Sequence, residues 1–372
     1  MRRPWLWCLP LALAAVIAWL GTCSVLPFGL SLPHPRDYLG HAAGFALLAL
    51  ALELAWRLNR AGTPIYRRHL VTFLLLALYG GAVEGVQSFV AGRGGDPLDW
   101  LADLAGTCLG LALSCLPYLG TRRLAGMGWR RGTDRRPDPS APLVLVADPH
   151  WSGALTGLRE AHAAHPDADW LFLGDVFDVW VGIPGMATDL ERDFLDWVAD
   201  RRREGRWVGL WLGNREYFLD RLADRFDLMG EGTGGGLPAE GLAWEHGDLV
   251  NAGDWRYRLW NLVSRSGPVW LLARTLPRAA ARALAQRLEM ALHTTNQAYK
   301  LRFPREAFRQ AAAEHPAKTF ITGHFHTHQV EANGTALPWA HEGRFMVWRQ
   351  GRVEALNLGF PGDIQGPSGK GG

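Results

Sequence analysis

Five places in the later part of the sequence end a short apolar run in side chains that ligate hard metal ions. They are Asp148-Pro149-His150, Gly174-Asp175-Val176-Phe177-Asp178, Gly213-Asn214-Arg215-Glu216, His246-Gly247-Asp248 and Gly323-His324-Phe325-His326. Two divalent ions held close together need a bridging carboxylate, with imidazoles and an amide oxygen completing each shell. The residues supply that set: Asp148, His150 and His326 for one ion, Asn214, His246 and His324 for the other, and Asp175 as the bridge. Such a pair activates water for in-line attack on phosphorus and neutralises charge on the phosphoryl oxygens. A lone Asp-x-His is more often a loop, and Gly-Asp after a strand is commonly a turn. It is the ordered set of five that points to a two-metal phosphoesterase.

These residues need a scaffold that brings them to one edge. Leu143–Ala147, Trp170–Leu173, Trp207–Leu212, Leu242–Glu245 and Thr319–Thr322 read as buried strands, and Asp189–Arg203 and Glu306–His315 as helices. Strands alternating with helices predict an α/β layered domain over 142–360, with its site at the carboxyl ends of the strands. Glycine beside a ligand lets the strand end turn sharply towards a metal. Between His246 and Phe303 an apolar insert, about 254–303, interrupts the pattern. It includes Asp254, Tyr257 and a helix at Arg278–Leu301 carrying Asn296 and Lys300.

The first 120 residues differ in kind. Four apolar runs, about Trp5–Leu26, Tyr38–Leu58, Leu70–Val90 and Leu98–Leu119, approach the length of a membrane-crossing helix. The first follows Arg2 and Arg3 and could be a signal peptide; with three more runs after it, it reads as a retained span. Arg57, Arg60, Arg67 and Arg68 lie between the second and third runs, and six arginines follow the fourth. That bias predicts four spans with both termini and the catalytic domain cytoplasmic. Residues 121–141, rich in Arg, Gly, Pro and Asp, read as a flexible basic linker, and the Gly-rich tail from 361 as disordered.

The opposite side of the bundle gathers Asp37, His41, Glu84, Gln87, Arg93, Asp96 and Asp99, with Asp103 a turn further on. Ionisable residues at membrane depth are costly and tend to be paired or functional. An interfacial ion-pair cluster that pins the loops and a functional site are both open on the residues alone. The net charge of +3 over 372 residues gives no reason to expect a nucleic-acid partner. The four cysteines all fall at or before Cys115, which excludes a disulfide framework further on.

Two resemblances follow from these motifs. Asp37-x-x-x-His41 and the run Glu84-x-x-Gln87-x-Phe89-x-x-x-Arg93-x-x-Asp96-x-x-Asp99 resemble the VanZ-like family over about 1–120. That likeness implies a membrane topology but no reaction. From Leu143 to Gly359 the chain resembles the calcineurin-like metallophosphoesterases, which implies two sheets flanked by helices. Gly174-Asp175-Val176-Phe177-Asp178-Val179-Trp180 and Gly213-Asn214-Arg215-Glu216-Tyr217-Phe218 narrow it to the UDP-2,3-diacylglucosamine hydrolase subgroup.

The subgroup resemblance implies Mn²⁺ as the metal, with Fe²⁺ or Zn²⁺ as alternatives. It implies catalytic roles for Asp175, Asn214 and Arg215, the arginine gripping a diphosphate. It also implies substrate contacts from Arg215, Asp254, Tyr257, Asn296 and Lys300, with the insert capping the site and receiving acyl chains. Ordinary packing of the insert's apolar face is the competing reading. The expected reaction is hydrolysis of UDP-2,3-diacylglucosamine to UMP and 2,3-diacylglucosamine 1-phosphate at a bacterial inner membrane. The expected partners are the membrane and a lipid-linked nucleotide or another envelope lipid substrate. Departures from the pattern, such as Ala147, Pro149, Asp178, Glu216, Ile183-Pro184-Gly185 and Thr327-His328, bear on substrate identity rather than on the ligands. An enzyme acting on another envelope lipid phosphate, and a transporter or scaffold with a regulatory phosphoesterase domain, are the alternatives.

Overall fold

The computed structural model describes residues 4–22, 36–59, 63–90, 94–116, 130–251, 254–277, 279–280, 283, 287, 303–316, 318–340, 344–349 and 351–356. Arg93, Asn296, Lys300, the side chain of Asp37 and the tail from 361 lie outside these residues, as does nearly all of the expected helix Arg278–Leu301.

The N-terminal apolar runs form helices Cys8–Thr22 (α1), Arg36–Asn59 (α2), Ile65–Gln87 (α3) and Pro97–Ser114 (α4). Among the described residues three stretches are long and apolar enough to cross a membrane: Trp5–Thr22, Tyr38–Asn59 and Ile65–Gln87. The fourth expected span corresponds to α4, which is 18 residues long, carries Asp99 and Asp103 and is not one of the three. Leu39, Leu47, Leu74 and Leu78 are exposed on these helices, while Phe45, Leu48, Ala49 and Leu76 form their core. Helices α2 and α4 approach through small residues. A Cβ on Gly106 would lie 2.1 Å from the Ala42 carbonyl oxygen, and one on Gly110 2.4 Å from that of Ala46. Small residues at such spacing let helix backbones meet closely where lipid gives no hydrophobic drive.

The later residues form two sheets. In chain order the strands are Arg130–Gly132 (β1), Leu143–Val146 (β2), Asp169–Phe172 (β3), Trp180–Val181 (β4), Val208–Trp211 (β5), Glu216–Tyr217 (β6) and Leu228–Gly230 (β7). Gly235–Leu237 (β8), Leu242–Glu245 (β9), Thr319–Thr322 (β10), Gln329–Glu331 (β11), Gly334–Ala336 (β12), Met346–Arg349 (β13) and Arg352–Ala355 (β14) follow. One sheet has the order β1-β7-β5-β3-β2-β13-β14, the other β11-β12-β10-β9-β8, and β4 pairs with β6 alone. Strands β2, β3, β5 and β7 are parallel, as are β9, β10 and β12.

Alternation along the strands builds the layers. Leu143, Leu145, Leu171 and Trp211 meet Leu242, Trp244 and Ile321 in a core shared by both sheets. On the other face, Trp170 and Phe172 pack on Phe194 and Trp197 of helix Asp189–Arg203 (α6), which follows the shorter helix Thr156–Ala164 (α5). A capping box between Thr188 and Glu191 starts α6, satisfying orphan backbone donors. Just before β10 in the chain, the helix Arg305–Ala313 covers the second sheet through Phe308, Ala311 and Ala312.

Two stretches gain structural detail. The stretch read as a linker contains β1, an exposed three-residue edge strand beside β7. Arg135 then anchors the following chain, with Nη1 donating to Asp227 Oδ1 at 3.2 Å and Nη2 to the Gly205 carbonyl at 2.7 Å. The insert also takes a definite form in part. Its described part forms helices Trp255–Ser264 (α7) and Gly267–Thr275 (α8), and residues 252–277 group with the N-terminal helices as one compact unit. The sheets make up the other unit. Within the first, the Trp270 ring lies 5.7 Å from that of Tyr66 on α3.

Candidate metal centre

All seven expected ligands follow the carboxyl ends of strands in the sheet-bearing unit. Asp148 and His150 follow β2, Asp175 follows β3, Asn214 follows β5, His246 follows β9, and His324 and His326 follow β10. The backbone there is bent to an uncommon degree. Among the described residues seven non-glycine residues have positive φ, and five of them are Asp148, His150, Asp175, His324 and His326. Such conformations cost about 1–3 kcal/mol each and persist where surrounding structure enforces them, typically at functional sites. Glycine makes the approach possible. A Cβ on Gly174, whose φ is +84°, would meet Gly213 N at 2.5 Å and His246 Nδ1 at 2.6 Å.

The side chains converge in two groups whose ligand atoms lie within 4.8 Å of one another: Asp148, His150 and His326, and Asp175, His246 and His324. His150 Nε2 stands 3.4 Å from His326 Nε2, and His326 Nε2 3.7 Å from Asp148 Oδ1. The Asn214 amide oxygen lies 3.1 Å from His246 Nε2 and 3.0 Å from His324 Nδ1, joining the second group. Asp175 faces both: its Oδ2 is 3.9 Å from His150 Nε2 and its Oδ1 3.6 Å from His246 Nε2. Asp175 therefore lies between the two groups.

Several observations fit this donor set to cations. Asp148 Oδ1 is buried without a hydrogen-bond partner, while its Oδ2 accepts the backbone N–H of His324 at 2.6 Å. His246 Nδ1 donates to the Leu173 carbonyl at 2.7 Å, which fixes the ring and points Nε2 into the cluster. Burial would discharge the His246 imidazole, yet the carboxylates of Asp175 and Asp148 push it up to about 9. Burial lowers His150 to about 3 and, with the neighbouring His246, His324 to about 4. Asp148 and Asp175 resist the upward push of burial because histidines face them, and both carboxyls are held below the usual range. The cluster thus keeps two carboxylates charged and two imidazoles neutral, with a proton on His246 where a cation would sit.

Arg215 is buried beside Asp175. Its backbone N–H donates to Asp175 Oδ1 at 3.0 Å, its Nε is 3.6 Å from Asp175 Oδ2, and its Nη1 donates to the Asp178 carbonyl at 3.1 Å. Asp254 caps α7, accepting the Tyr257 N–H at 3.0 Å, and both belong to the unit of the N-terminal helices. Of the polar residues at the end of that bundle, His41, Glu84, Asp99 and Asp103 come together, Asp96 caps α4, and Gln87 is buried against α1, 3.1 Å from where a Gly21 Cβ would be.

Two residues gain roles that the motifs alone did not reveal. The fully buried Glu216 carboxylate accepts the backbone N–H groups of Asp175, Val176 and Gly213 at 2.7–2.9 Å, tying the turn after β3 to the turn after β5. The Trp339 ring stacks on His326 at 5.1 Å and an interplanar angle of 14°. Glu216 was visible only as an acid next to the Asn-Arg pair. Trp339 sits outside every motif, and its stacking depends on the path of the chain after β12.

No family model matches the chain. It is 28% identical over 189 residues to a protein named UDP-2,3-diacylglucosamine hydrolase from Ectopseudomonas mendocina (strain ymp). The match covers 48% of this chain and 75% of that relative. Together with the two ligand groups, it identifies a metallophosphoesterase-like region.

Proposed function

We propose that the protein is a membrane-anchored, metal-dependent hydrolase that cleaves the diphosphate of UDP-2,3-diacylglucosamine, giving UMP and 2,3-diacylglucosamine 1-phosphate. The observation that carries this reading is the convergence of two ligand groups on Asp175, in a chain similar to a hydrolase of that name. Asp148, His150 and His326 would hold one divalent ion, Asn214, His246 and His324 the other, with Asp175 shared. Mn²⁺ is the ion we favour. Bound there, the ions supply Lewis acidity for activating water and positive charge opposite the phosphoryl oxygens.

The protein's own groups do the rest. Glu216 and the Leu173 carbonyl hold the Asp175 turn and the His246 ring in place. Arg215 adds a guanidinium beside the centre, a planar donor suited to two oxygens of one diphosphate. Exposed leucines on the N-terminal helices support a lipid-facing surface, and the four-span, VanZ-like topology with a cytoplasmic catalytic domain belongs to the same proposal. A fixed anchor raises the enzyme's effective concentration at a lipid-borne substrate.

The test is UMP release from UDP-2,3-diacylglucosamine by the full chain in detergent micelles, loaded with Mn²⁺, beside Asp175→Ala, Asn214→Ala and Arg215→Ala. We expect the first two to lose at least about 100-fold in rate, and Arg215→Ala to weaken turnover with metal retained. Metal-dependent cleavage of a generic phosphodiester without UMP release would sink the substrate and leave the two-metal centre. An inert, metal-loaded chain would sink both.

A further inference from the structure

The second cluster of metal-ligating side chains lies in the N-terminal helical unit. His41 is near the start of α2, Glu84 near the end of α3 and Asp103 in the second turn of α4. Because successive helices run in opposite directions, these three positions share one end of the bundle. Each offers one ligand atom, and those atoms lie within 4.8 Å of one another. We infer that His41, Glu84 and Asp103 form a binding site for one divalent transition-metal ion, additional to the phosphoesterase centre.

An ion-pair cluster accounts for only part of the geometry. His41 Nδ1 is 3.0 Å from Asp103 Oδ1, and its Nε2 is 3.7 Å from Asp99 Oδ2. The Glu84 Oε2 oxygen accepts the backbone N–H of Asp96 at 2.9 Å, which fixes the carboxylate against the turn before α4. Two oxygens are left over. Asp103 Oδ2 and Glu84 Oε1 are buried without a hydrogen-bond partner, on residues only 1% and 8% exposed. Neither carboxylate lies within ion-pairing distance of a Lys or Arg among the described residues.

Two buried carboxylates sharing a single imidazole are an unbalanced arrangement, because removing a charge from water costs several kcal/mol unless it is paired. Buried polar atoms without partners in an otherwise well-packed protein call for an ion or water. A cation among the three side chains would satisfy both orphan oxygens and the charge at once. The packing brings Asp103 close against α3. At position 80, where α3 passes Asp103, a Cβ would stand 2.9 Å from Asp103 Oδ2 and 3.3 Å from the Phe45 ring, and the residue is glycine. One imidazole with two carboxylates suits Zn²⁺ or Mn²⁺ among the divalent ions. Joining α2, α3 and α4, the ion would cross-link three helices in one step.

The experiment counts metal in the full chain, purified in detergent, stripped with chelator and dialysed against Zn²⁺ or, separately, Mn²⁺. Asp103→Asn, His41→Ala and Glu84→Gln are each made in the wild-type chain and in a background of Asp148→Asn with Asp175→Asn, which weakens the phosphoesterase centre independently. We expect each substitution to remove about one equivalent of metal in either background. We also expect the ion to raise the melting temperature of the Asp148→Asn, Asp175→Asn chain, and Glu84→Gln to abolish that rise. Glutamine keeps an oxygen for the Asp96 N–H, so Glu84→Gln decides the matter if Asp103→Asn does not fold. Unchanged metal content and an unchanged melting response in folded Glu84→Gln would overturn the site and leave a hydrated ion-pair cluster. Failure of UMP release leaves this count untouched, so the two proposals fail separately.

Discussion

Positive φ at five of the candidate ligands puts backbone strain into the candidate metal centre, and Glu216 ties two of its turns together. Its Oε2 accepts two backbone N–H groups and its Oε1 a third, so both oxygens are needed as acceptors. Glu216→Gln would turn one oxygen into a donor facing a backbone donor. A buried donor left unpaired costs about 1–3 kcal/mol, or roughly 2–4 °C in melting temperature per kcal/mol for a domain of this size. Glu216→Gln should therefore melt several degrees lower by tryptophan fluorescence and bind Mn²⁺ more weakly, because the Asp175 turn loosens. Equal melting and equal affinity would mean that the turn holds itself. The candidate ligands could be picked out of the sequence because they cluster within a few residues after apolar runs. Glu216 could not be, since its work is done on main-chain groups that meet only after folding.

At the scale of elements, the central strands were the easiest to read. Strands buried on both faces, such as Leu143–Val146 and, after its first residue Asp169, the strand Asp169–Phe172, appear as Val, Leu and aromatic runs. Strand β1 could not be read this way: its Arg-Arg-Gly has no buried side. The helices of the N-terminal unit were legible as elements, but their close contact was hidden in ordinary alanines and glycines. Gly106 is where α2 and α4 come nearest, with any Cβ 2.1 Å from the Ala42 carbonyl oxygen and 2.6 Å from its Cα. Both obstacles are backbone, so nothing but a shift of a whole helix makes room. Gly106→Leu should cost about 1–3 kcal/mol or more through overpacking. It should appear as an earlier unfolding step of the detergent-solubilised chain, while Gly85→Leu, a position with open space around it, stays near wild type. Equal melting of the two variants would show that α2 and α4 are not tightly joined.

On the scale of the whole molecule, the insert is where chain order and packing part company. By chain order α7 and α8 belong to the sheet-bearing half, yet they pack with the N-terminal helices. An apolar face reads the same in sequence whether it receives acyl chains or covers a neighbouring helix, which is why the motif pattern could not choose. In the structure Trp270 lies against Tyr66, Arg274 sits 5.2 Å over the Trp270 ring, and Trp255, Leu271 and Leu272 are about half exposed. If α3 holds this segment, a chain beginning at Arg130 should leave it unsupported. Local openings of that kind are read by hydrogen exchange. Amides of 255–275 should then exchange faster in the shortened chain than in the full one, with the strands β2, β3 and β5 unchanged. Turnover of a vesicle-borne diphosphate should fall by about ten-fold or more once the anchor is gone, while hydrolysis of a small water-soluble phosphodiester by the same metal centre persists. Equal protection of 255–275 in both chains would show that the insert folds without the N-terminal helices. Equal loss on both substrates would instead show that those helices support the metal centre itself and do more than deliver it to the lipid.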